Sequence, residues 1–326
     1  MKQVLRRRGV IVLVGVVASL AIVSAATGAG PTYNLKKLTG SVSADGSSTV
    51  GPYTTAAAEL FRQAGATKVK VTVGISGTGG GFQRFCKGET DLSDASRPMR
   101  QSEAKACKDA NIGSWRAFTV ANDALTVVVN QQNTWAQCLT VPELKKIWEP
   151  GSKVNNWKDV RSSFPDVPLK LFGPGTDSGT FEYFTEAING KARASRTDYQ
   201  ASEDDNVLVQ GVTGERGGMG YFGFSYFEEN QNRLRAVQVR NPKTDQCVSP
   251  SVANVHNNTY KPLARPLFIY AKGSSFKRTE VQAFIDYIFD NEVAIAKRAA
   301  FVPLTKVQLK RARTNFILAV KAAKRT

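Results

Sequence analysis

Histidine is nearly absent from this sequence, because His256 is the only one among its 326 residues. No cysteine or second histidine lies near it at metal-ligand spacing, so a zinc site is not expected. A Ser-His-Asp triad would have to use the same histidine, and the chain contains no GxSxG elbow. The SxxK match at Ser274–Lys277 is not accompanied by SDN or KTG. These gaps disfavour a hydrolase, and we expect neither enzymatic activity nor a cofactor.

Long apolar runs are also scarce, and the one near the N-terminus extends from Val10 to Val23. Basic residues precede it, and Val23-Ser24-Ala25 offers small side chains at the −3 and −1 positions of a cleavage site. This order is typical of a secretory signal peptide, which we place at residues 1–26 with cleavage near Ala25. An uncleaved membrane anchor is the alternative, although the run is short for a membrane span. We therefore expect an exported protein.

Cysteine is limited to four residues, and none of them forms a CxxC motif. An even number in an exported chain favours two disulfides over metal binding. Three connectivities are open, and we favour the one whose first pair closes a short local loop. That connectivity joins Cys86 to Cys107 and Cys138 to Cys247.

Acidic residues are outnumbered, so the formal charge is +17, and removal of the four basic residues in the first 25 leaves +13. The basic residues are scattered except in the C-terminal segment 306–325, KVQLKRARTNFILAVKAAKR. Its apolar residues recur at a rough helical spacing, which favours a terminal helix packed by one face over a nucleic-acid-binding arm. No zinc-finger, KH or RRM signature is present, and we expect no nucleic-acid partner.

Short β-like runs alternate with helical runs along the chain, which indicates an α/β fold. The GxGxxG match at Gly218–Gly223 contains bulky aromatic residues and is interpreted as a strand with its turn. The other predicted strands are Leu38–Ala44, Val69–Gly74, Leu92–Ser93, Ala124–Val129, Leu169–Phe172 and Leu267–Ala271. The predicted helices include Thr54–Ala64, a short one from Phe82, Val141–Trp148 and Phe181–Ile188.

Three polar, glycine-containing turns each follow a predicted strand and precede a predicted helix: Asp45–Thr49, Ser76–Gly81 and Thr176–Thr180. The first N–H groups of a helix are unpaired and carry partial positive charge. Glycines permit close backbone approach, and hydroxyls add donors, so such turns bind phosphate or sulfate without a metal. One turn alone is ordinary helix capping. Three in one chain favour an oxyanion site.

A fourth segment, Asp91–Pro98, ends a predicted strand and supplies the hydroxyl of Ser96 and the guanidinium of Arg97. An arginine can bind a tetrahedral anion through two parallel hydrogen bonds. The alternative for Arg97 is an ordinary surface arginine. Its position before a proline, among small and apolar residues, favours a place in the same site.

These segments resemble the phosphate-binding proteins of ABC phosphate importers, the PstS-like family. The matching stretches cover most of the chain after the signal segment, in the expected order. They are DGSSTVGPYTTAAAELF, GISGTGGGFQRFCKGETDLSDASRP, LFGPGTDSGTFEYFTEAI, and SEDDNVLVQGV followed by GGMGYFGFSY.

The resemblance implies a two-lobe, type II periplasmic-binding-protein fold that closes on one dehydrated phosphate in the interlobe cleft. It also implies a receptor, not an enzyme, that delivers phosphate to the membrane permease of an ABC importer. We place lobe 1 at residues 38–122 and 268–326 and lobe 2 at residues 123–267. The chain would then cross between the lobes twice, and we expect it to act as a monomer.

Carried over by position, the family's phosphate ligands fall on the helix-preceding turns of this chain. The ligands are Thr49 with Ser48 beside it, Thr78 with Gly79, and Ser178, Gly179 and Thr180. Two positions depart from the family: Ser96 stands where the best-known members have an aspartate, and Pro174 stands where they have an arginine. We therefore expect Arg97 to supply the missing positive charge.

The missing aspartate bears on selectivity, because protonated phosphate needs a hydrogen-bond acceptor and sulfate does not. Candidate acceptors are Asp177, Asp45 and Asp94, and Asp177 ranks first because it lies inside the helix-start turn. For Asp177, a plain helix cap is the alternative. Another oxyanion or a phosphate ester is the second candidate ligand. A secreted hydrolase or an adhesion protein on the same fold is the third hypothesis.

Overall fold

The computed structural model describes residues 32–325 of the chain. The predicted signal segment at residues 1–26 lies outside the described residues. The described part contains twelve β-strands, numbered in chain order. They are β1 Thr39–Gly46, β2 Lys68–Gly74, β3 Leu92–Ala95, β4 Trp115–Asn130, β5 Cys138–Leu139, β6 Lys170–Gly173, β7 Gln200–Ala201, β8 Gly218–Gly223, β9 Leu234–Ala236, β10 Gln238–Arg240, β11 Cys247–Val248 and β12 Ala264–Lys272.

Twelve α-helices lie between and after these strands. They are α1 Gly51–Gln63, α2 Gly77–Cys86, α3 Gln101–Asp109, α4 Val141–Trp148, α5 Trp157–Val160, α6 Gly179–Asn189, α7 Asp205–Gly214, α8 Phe224–Glu229, α9 Val252–His256, α10 Thr279–Asp290, α11 Glu292–Arg298 and α12 Lys306–Ala323. The predicted α/β class is confirmed, and Gly218–Gly223 is a buried strand, as expected.

The larger of two sheets has the strand order β2-β1-β3-β12-β4-β8-β6-β7, with β9 also paired to β4. Near the two ends of this order, β1 with β2 and β6 with β8 are parallel pairs, so the carboxyl ends of the strands lie together within each pair. Three antiparallel pairings separate the two pairs, which therefore run in opposite directions. In the middle, β12 runs antiparallel to both β3 and β4. The smaller sheet has the order β11-β10-β5.

Two hydrophobic cores lie along the long strand β4. Its first half contributes Phe118 and Val120 to a core with α1, α10 and α12. Its second half contributes Leu125 and Val127 to a core with α4 and α6, where Trp148 is fully buried. Both β4 and β12 contribute side chains to the two cores. The loops that precede the helices therefore end near the place where the two cores meet.

The strand β4 is 16 residues long, whereas the sequence predicted only Ala124–Val129. Of residues 115–119 only Phe118 is buried, so this part lacks the continuous apolar run that marked the second half. Pairing with β12 over Trp115 to Ala124 stabilises this less apolar half as a strand.

The glycine-rich segment differs from its prediction, because α2 begins at Gly77 and not at Phe82. Glycine is a poor helix former, but it permits close packing. A Cβ atom on Gly81 would lie only 2.5 Å from Gly46 Cα, so glycine is needed where α2 packs against the end of β1. The tertiary contact therefore overrides the local helix propensity.

Two disulfides connect the cysteines in the expected pairs. Cys86 of α2 is bonded to Cys107 of α3, and Cys138 of β5 is bonded to Cys247 of β11. The first bridge anchors α2, which follows the glycine-rich turn, and the second crosses the smaller sheet.

The C-terminal helix α12 packs by one face, as predicted, through Ala312, Phe316 and Val320 in the first core. Val307 and Leu318 are exposed to 78% and 56%, so neither of these apolar residues belongs to the buried face. Across residues 32–325, each helix is too short or too polar to cross a bilayer.

Asp94 of β3 is completely buried, and neither of its carboxylate oxygens has a hydrogen-bond partner among residues 32–325. Burial raises the pKa of Asp94 from 3.8 to about 7, and the nearby charge of Asp45 adds to this shift. The unfolded chain therefore binds fewer protons than the folded chain at intermediate pH. Stability from this group is present below pH 4 and is lost as pH rises to about 7.

We predict that Asp94→Asn flattens the fall in unfolding free energy between about pH 4 and pH 7. Three pH units correspond to about 4 kcal/mol for one group. Urea denaturation at several pH values measures the effect. The exposed Asp109, changed to Asn, is the control and should leave the profile unaltered. If Asp94→Asn retains the wild-type profile, Asp94 does not carry this dependence.

Candidate functional site

The first two predicted turns are tied together by Asp45. Ser76 donates to Asp45 Oδ1 from its backbone N, at 3.1 Å, and from its hydroxyl, at 2.5 Å. Arg84 Nη1 donates to the other oxygen of Asp45 at 2.5 Å. The Asp45 carboxylate is thus committed to holding the glycine-rich turn against the turn that follows β1.

The glycine-rich turn meets the fourth segment, Asp91–Pro98, through Thr78 and Ser96. Their hydroxyl oxygens are 3.1 Å apart, and Ser96 N donates to Thr78 Oγ1 at 3.2 Å. Arg97 lies beside the same turn, because a Cβ atom on Gly79 would be 3.9 Å from Arg97 Nη2. The start of α2 and the end of β3 therefore present hydroxyl and guanidinium donors side by side.

Arg97 is paired within its own lobe. Its two Nη atoms donate to Glu103 at 2.9 and 2.7 Å, and Nη1 also donates to Pro98 O at 3.1 Å. Hydrogen bonding to Glu103 raises the pKa of Arg97. The positive charge predicted for Arg97 is present, but a carboxylate already balances it.

The third turn, Thr176–Thr180, leads into α6, and Ser178 caps this helix by accepting from Thr180 N at 3.1 Å. It lies directly against the first turn, because Thr49 Oγ1 donates to Gly179 O at 3.4 Å. Ser48 Oγ donates to Glu182 Oε2 at 3.0 Å. A Cβ atom on Gly179 would lie 2.9 Å from Thr49 N, so only glycine permits this approach.

The three candidate acceptor carboxylates lie outside this hydroxyl cluster. Asp177 is exposed, and its backbone N donates to Glu203 Oε1 at 3.4 Å. Asp45 accepts hydrogen bonds from Ser76 and Arg84, and Asp94 is buried within β3. In the part of the chain described, none of the three forms a hydrogen bond to Thr49, Thr78 or Ser96.

Sequence reasoning missed Arg265, which enters the cluster from β12. Arg265 Nη2 donates to Thr49 Oγ1 at 3.0 Å, and Nε donates to Asp123 Oδ2 at 3.2 Å. Its guanidinium carbon lies 3.4 Å from the centre of the Tyr183 ring. The sequence signal for Arg265 is weak, because this residue precedes the predicted strand Leu267–Ala271 and lies outside all four turn segments.

A cavity of about 850 Å³ adjoins these residues. The residues that line it include Ser96, Arg97, Asn122, Tyr183, Lys261 and Arg265. Burial, together with Lys243, lowers the pKa of Lys261, whose ammonium donates to Ala264 O at 2.6 Å. Four basic side chains line the cavity, namely Arg97, Lys243, Lys261 and Arg265, against the one carboxylate of Glu186, and this excess of positive charge suits an anion.

The side chains of residues 32–325 do not support metal-dependent binding. Residues 32–325 contain no group of three or more histidine, cysteine, aspartate or glutamate side chains placed to hold a metal ion. The arrangement can instead bind an oxyanion through hydroxyls, backbone N–H groups and guanidinium groups.

The fold and the cluster agree with a known superfamily. A model of the PBP superfamily domain matches residues 26–292 of this chain. A crystal structure from Planctomyces limnophilus, described as a possible phosphate binding protein, is 45% identical with a TM-score of 0.83. That similarity covers 87% of this chain and 99% of the other. The chain therefore belongs to the PBP superfamily, and its two-lobe type II fold is confirmed.

Two curated relatives show where the chain belongs within this superfamily. The protein SphX of Synechococcus elongatus is 46% identical over 306 residues, which are 93% of this chain and 87% of SphX. The phosphate-binding protein PstS of Staphylococcus epidermidis is 35% identical over 272 residues, 83% of this chain and 81% of PstS. The predicted resemblance to the PstS-like family is confirmed.

We predict that Gly179→Ala weakens binding of phosphate, the ligand that the resemblance implies, by roughly 5- to 150-fold. The added methyl group would push the start of α6 away from Thr49, and overpacking of this kind costs about 1–3 kcal/mol. Isothermal titration calorimetry with the folded variants measures the loss.

Gly214→Ala is the matched control for this variant, because a Cβ atom at this helical glycine meets nothing within 4 Å. Its affinity should equal that of the wild type. Wild-type affinity in Gly179→Ala would show that the approach of α6 to Thr49 does not matter for binding.

Proposed function

We propose that this protein is an exported substrate-binding protein that captures inorganic phosphate in the cleft and delivers it to the permease of an ABC importer. The observation that carries the proposal is the meeting of four donor-bearing segments, through the contacts Thr49–Gly179 and Thr78–Ser96. The similarity to PstS supports phosphate as the ion, and the protein is not an enzyme.

The proposed ligands are donors at the starts of helices. Backbone N–H groups at the first turn of α6 and α2 carry partial positive charge, and neighbouring hydroxyls complete the shell. The nine residues named below offer more than enough donors for the four oxygens of one tetrahedral ion, because each oxygen accepts more than one hydrogen bond. They are Ser48, Thr49, Thr78, Gly79, Ser96, Arg97, Ser178, Gly179 and Thr180.

We propose lobe 1 as residues 38–122 with 268–326, and lobe 2 as residues 123–267. The two separate hydrophobic cores support this division, since each could move as a unit. The paired strands β4 and β12 would form the hinge, and closure would bring the two sets of donors onto the ion. Asp177, which is exposed here, would act as acceptor only if closure buries it.

The last two parts of the proposal concern export and oligomeric state. The basic and apolar order of residues 1–26 supports export, with cleavage of the signal segment near Ala25. We propose that the mature protein acts as a monomer, because one chain supplies all four donor segments.

A phosphate ester is the second candidate ligand, and the cavity of about 850 Å³ favours it. That space extends from Ser96 and Arg97 past Lys243 and Thr259, well beyond the reach of a single ion. An ester could place its phosphate at the cluster and its organic part in the remaining space.

Binding of phosphate by the wild-type protein tests the main proposal. The protein is unfolded and refolded to remove carried-over ligand, and labelled phosphate is then measured by equilibrium dialysis near pH 7. We expect saturable binding that excess sulfate does not displace. Stronger competition by glycerol phosphate than by phosphate would favour the ester, and absence of binding would refute both.

We predict that Thr78→Val weakens phosphate binding by about 1.5–3 kcal/mol, because one hydrogen bond to a charged group is lost. The change corresponds to roughly 10- to 150-fold in Kd and is measurable by calorimetry. Thr314→Val on α12 is the control, since the Thr314 hydroxyl also forms an intramolecular hydrogen bond, to Lys310 O, but lies on an exposed surface. An unchanged Kd for Thr78→Val would remove this hydroxyl from the site.

A further inference from the structure

We propose that Arg265 supplies the main positive charge for the bound anion, in place of the arginine that this chain lacks at Pro174. The inference rests on the proposed function, and it names a ligand that lies on β12, outside all four turn segments. Asp123 and Tyr183 act as positioning residues that hold the guanidinium.

Strand register places the pair Arg265 and Asp123. In the antiparallel pairing of β12 with β4, these two residues lie directly opposite each other. Their side chains are only 13% and 5% exposed, and they form a salt bridge of 3.2 Å. A buried guanidinium needs such a partner, and an opposite-charge pair across two strands is favourable.

The unused donors distinguish Arg265 from Arg97. A guanidinium has five N–H groups. Three of those on Arg97 are engaged by Glu103 and Pro98. Within residues 32–325, two of those on Arg265 are engaged, one by Asp123 and one by Thr49. Both hydrogens on Nη1 of Arg265 and one on Nη2 are left for an anion in the cavity that it lines.

The contact with Thr49 gives a second reason. Because Thr49 Oγ1 accepts from Arg265, its own hydroxyl hydrogen must point elsewhere, and here it points to Gly179 O at a long 3.4 Å. A hydroxyl held in this way can rotate to donate to an arriving anion. Arg265 thus both faces the anion and sets Thr49 as a donor.

The surroundings of Arg265 couple it to both cores. Thr49 precedes α1 of the first core, whereas Tyr183 belongs to α6 of the second. Tyr183 is fixed in turn, because its hydroxyl donates to Pro262 O at 2.7 Å. An arginine stacked on the helix that carries Ser178–Thr180 keeps a constant position relative to that helix start.

Phosphate titration of four variants tests the inference: Arg265→Ala, Arg265→Lys, Arg97→Ala and Arg161→Ala. Refolded, ligand-free proteins are compared by calorimetry, and circular dichroism with thermal melts establishes that each one folds. Arg161 is the matched control, because it pairs with Glu143 and lies over the Phe164 ring, but outside the residues that line the cavity.

We expect Arg265→Ala to weaken phosphate binding by at least about 100-fold, since a buried charge partner of the ion is lost. Arg265→Lys should recover part of this loss, because it keeps the charge without the fork. Arg97→Ala should lose less, about tenfold, and Arg161→Ala should bind as the wild type does. If Arg265→Ala does not fold, the Arg265→Lys result decides, with an expected loss of at least about tenfold.

Three results would overturn the inference. One is wild-type affinity in a folded Arg265→Ala. Another, where only Arg265→Lys folds, is wild-type affinity in that variant. The third is a larger loss in Arg97→Ala than in the Arg265 variants. Failure of the wild-type protein to bind phosphate would instead refute the proposed function, so the two failures are distinguishable.

Discussion

The close backbone approach of Thr49 to Gly179 is the constraint on which the site depends. A small ion can be surrounded by N–H groups and hydroxyls only if the segments that bear them come within about 3 Å of its oxygens. A Cβ atom on Gly179 would already lie 2.9 Å from Thr49 N, and one on Gly81 would lie 2.5 Å from Gly46 Cα. Glycine therefore sets how tightly the helix starts can gather.

Ion pairs lower the electrostatic cost of placing these donors close together when no anion is bound. Arg84 is paired with Asp45, Arg97 with Glu103, and Arg265 with Asp123. Each pair lowers the cost of holding a guanidinium near other donors, because an unpartnered buried charge is strongly destabilising. The remaining N–H groups still favour an anion, so the ion adds hydrogen bonds without requiring a rearrangement of charge.

Such a site suits capture and release better than chemistry. Hydroxyls, backbone N–H groups and guanidinium groups bind an oxyanion without a covalent step. Separation of the proposed lobes would move the donors of Ser178–Thr180 away from the others at once. The contacts of Ser48 with Glu182 and of Thr49 with Gly179 join elements from the two cores. An ion held by both sets would stabilise the closed arrangement by its differential affinity for it.

Local spacing and motifs were enough to predict the α/β class, the helix-preceding turns and the family from the sequence, and they favoured the observed one of three disulfide connectivities. Helix α4 matched its predicted bounds, Val141–Trp148. Only the tertiary structure decided that Arg265 lies opposite Asp123, that α2 begins at Gly77 and that Asp177 is exposed. Register between distant strands and packing between glycines depend on residues far apart in the chain, so no local pattern records them.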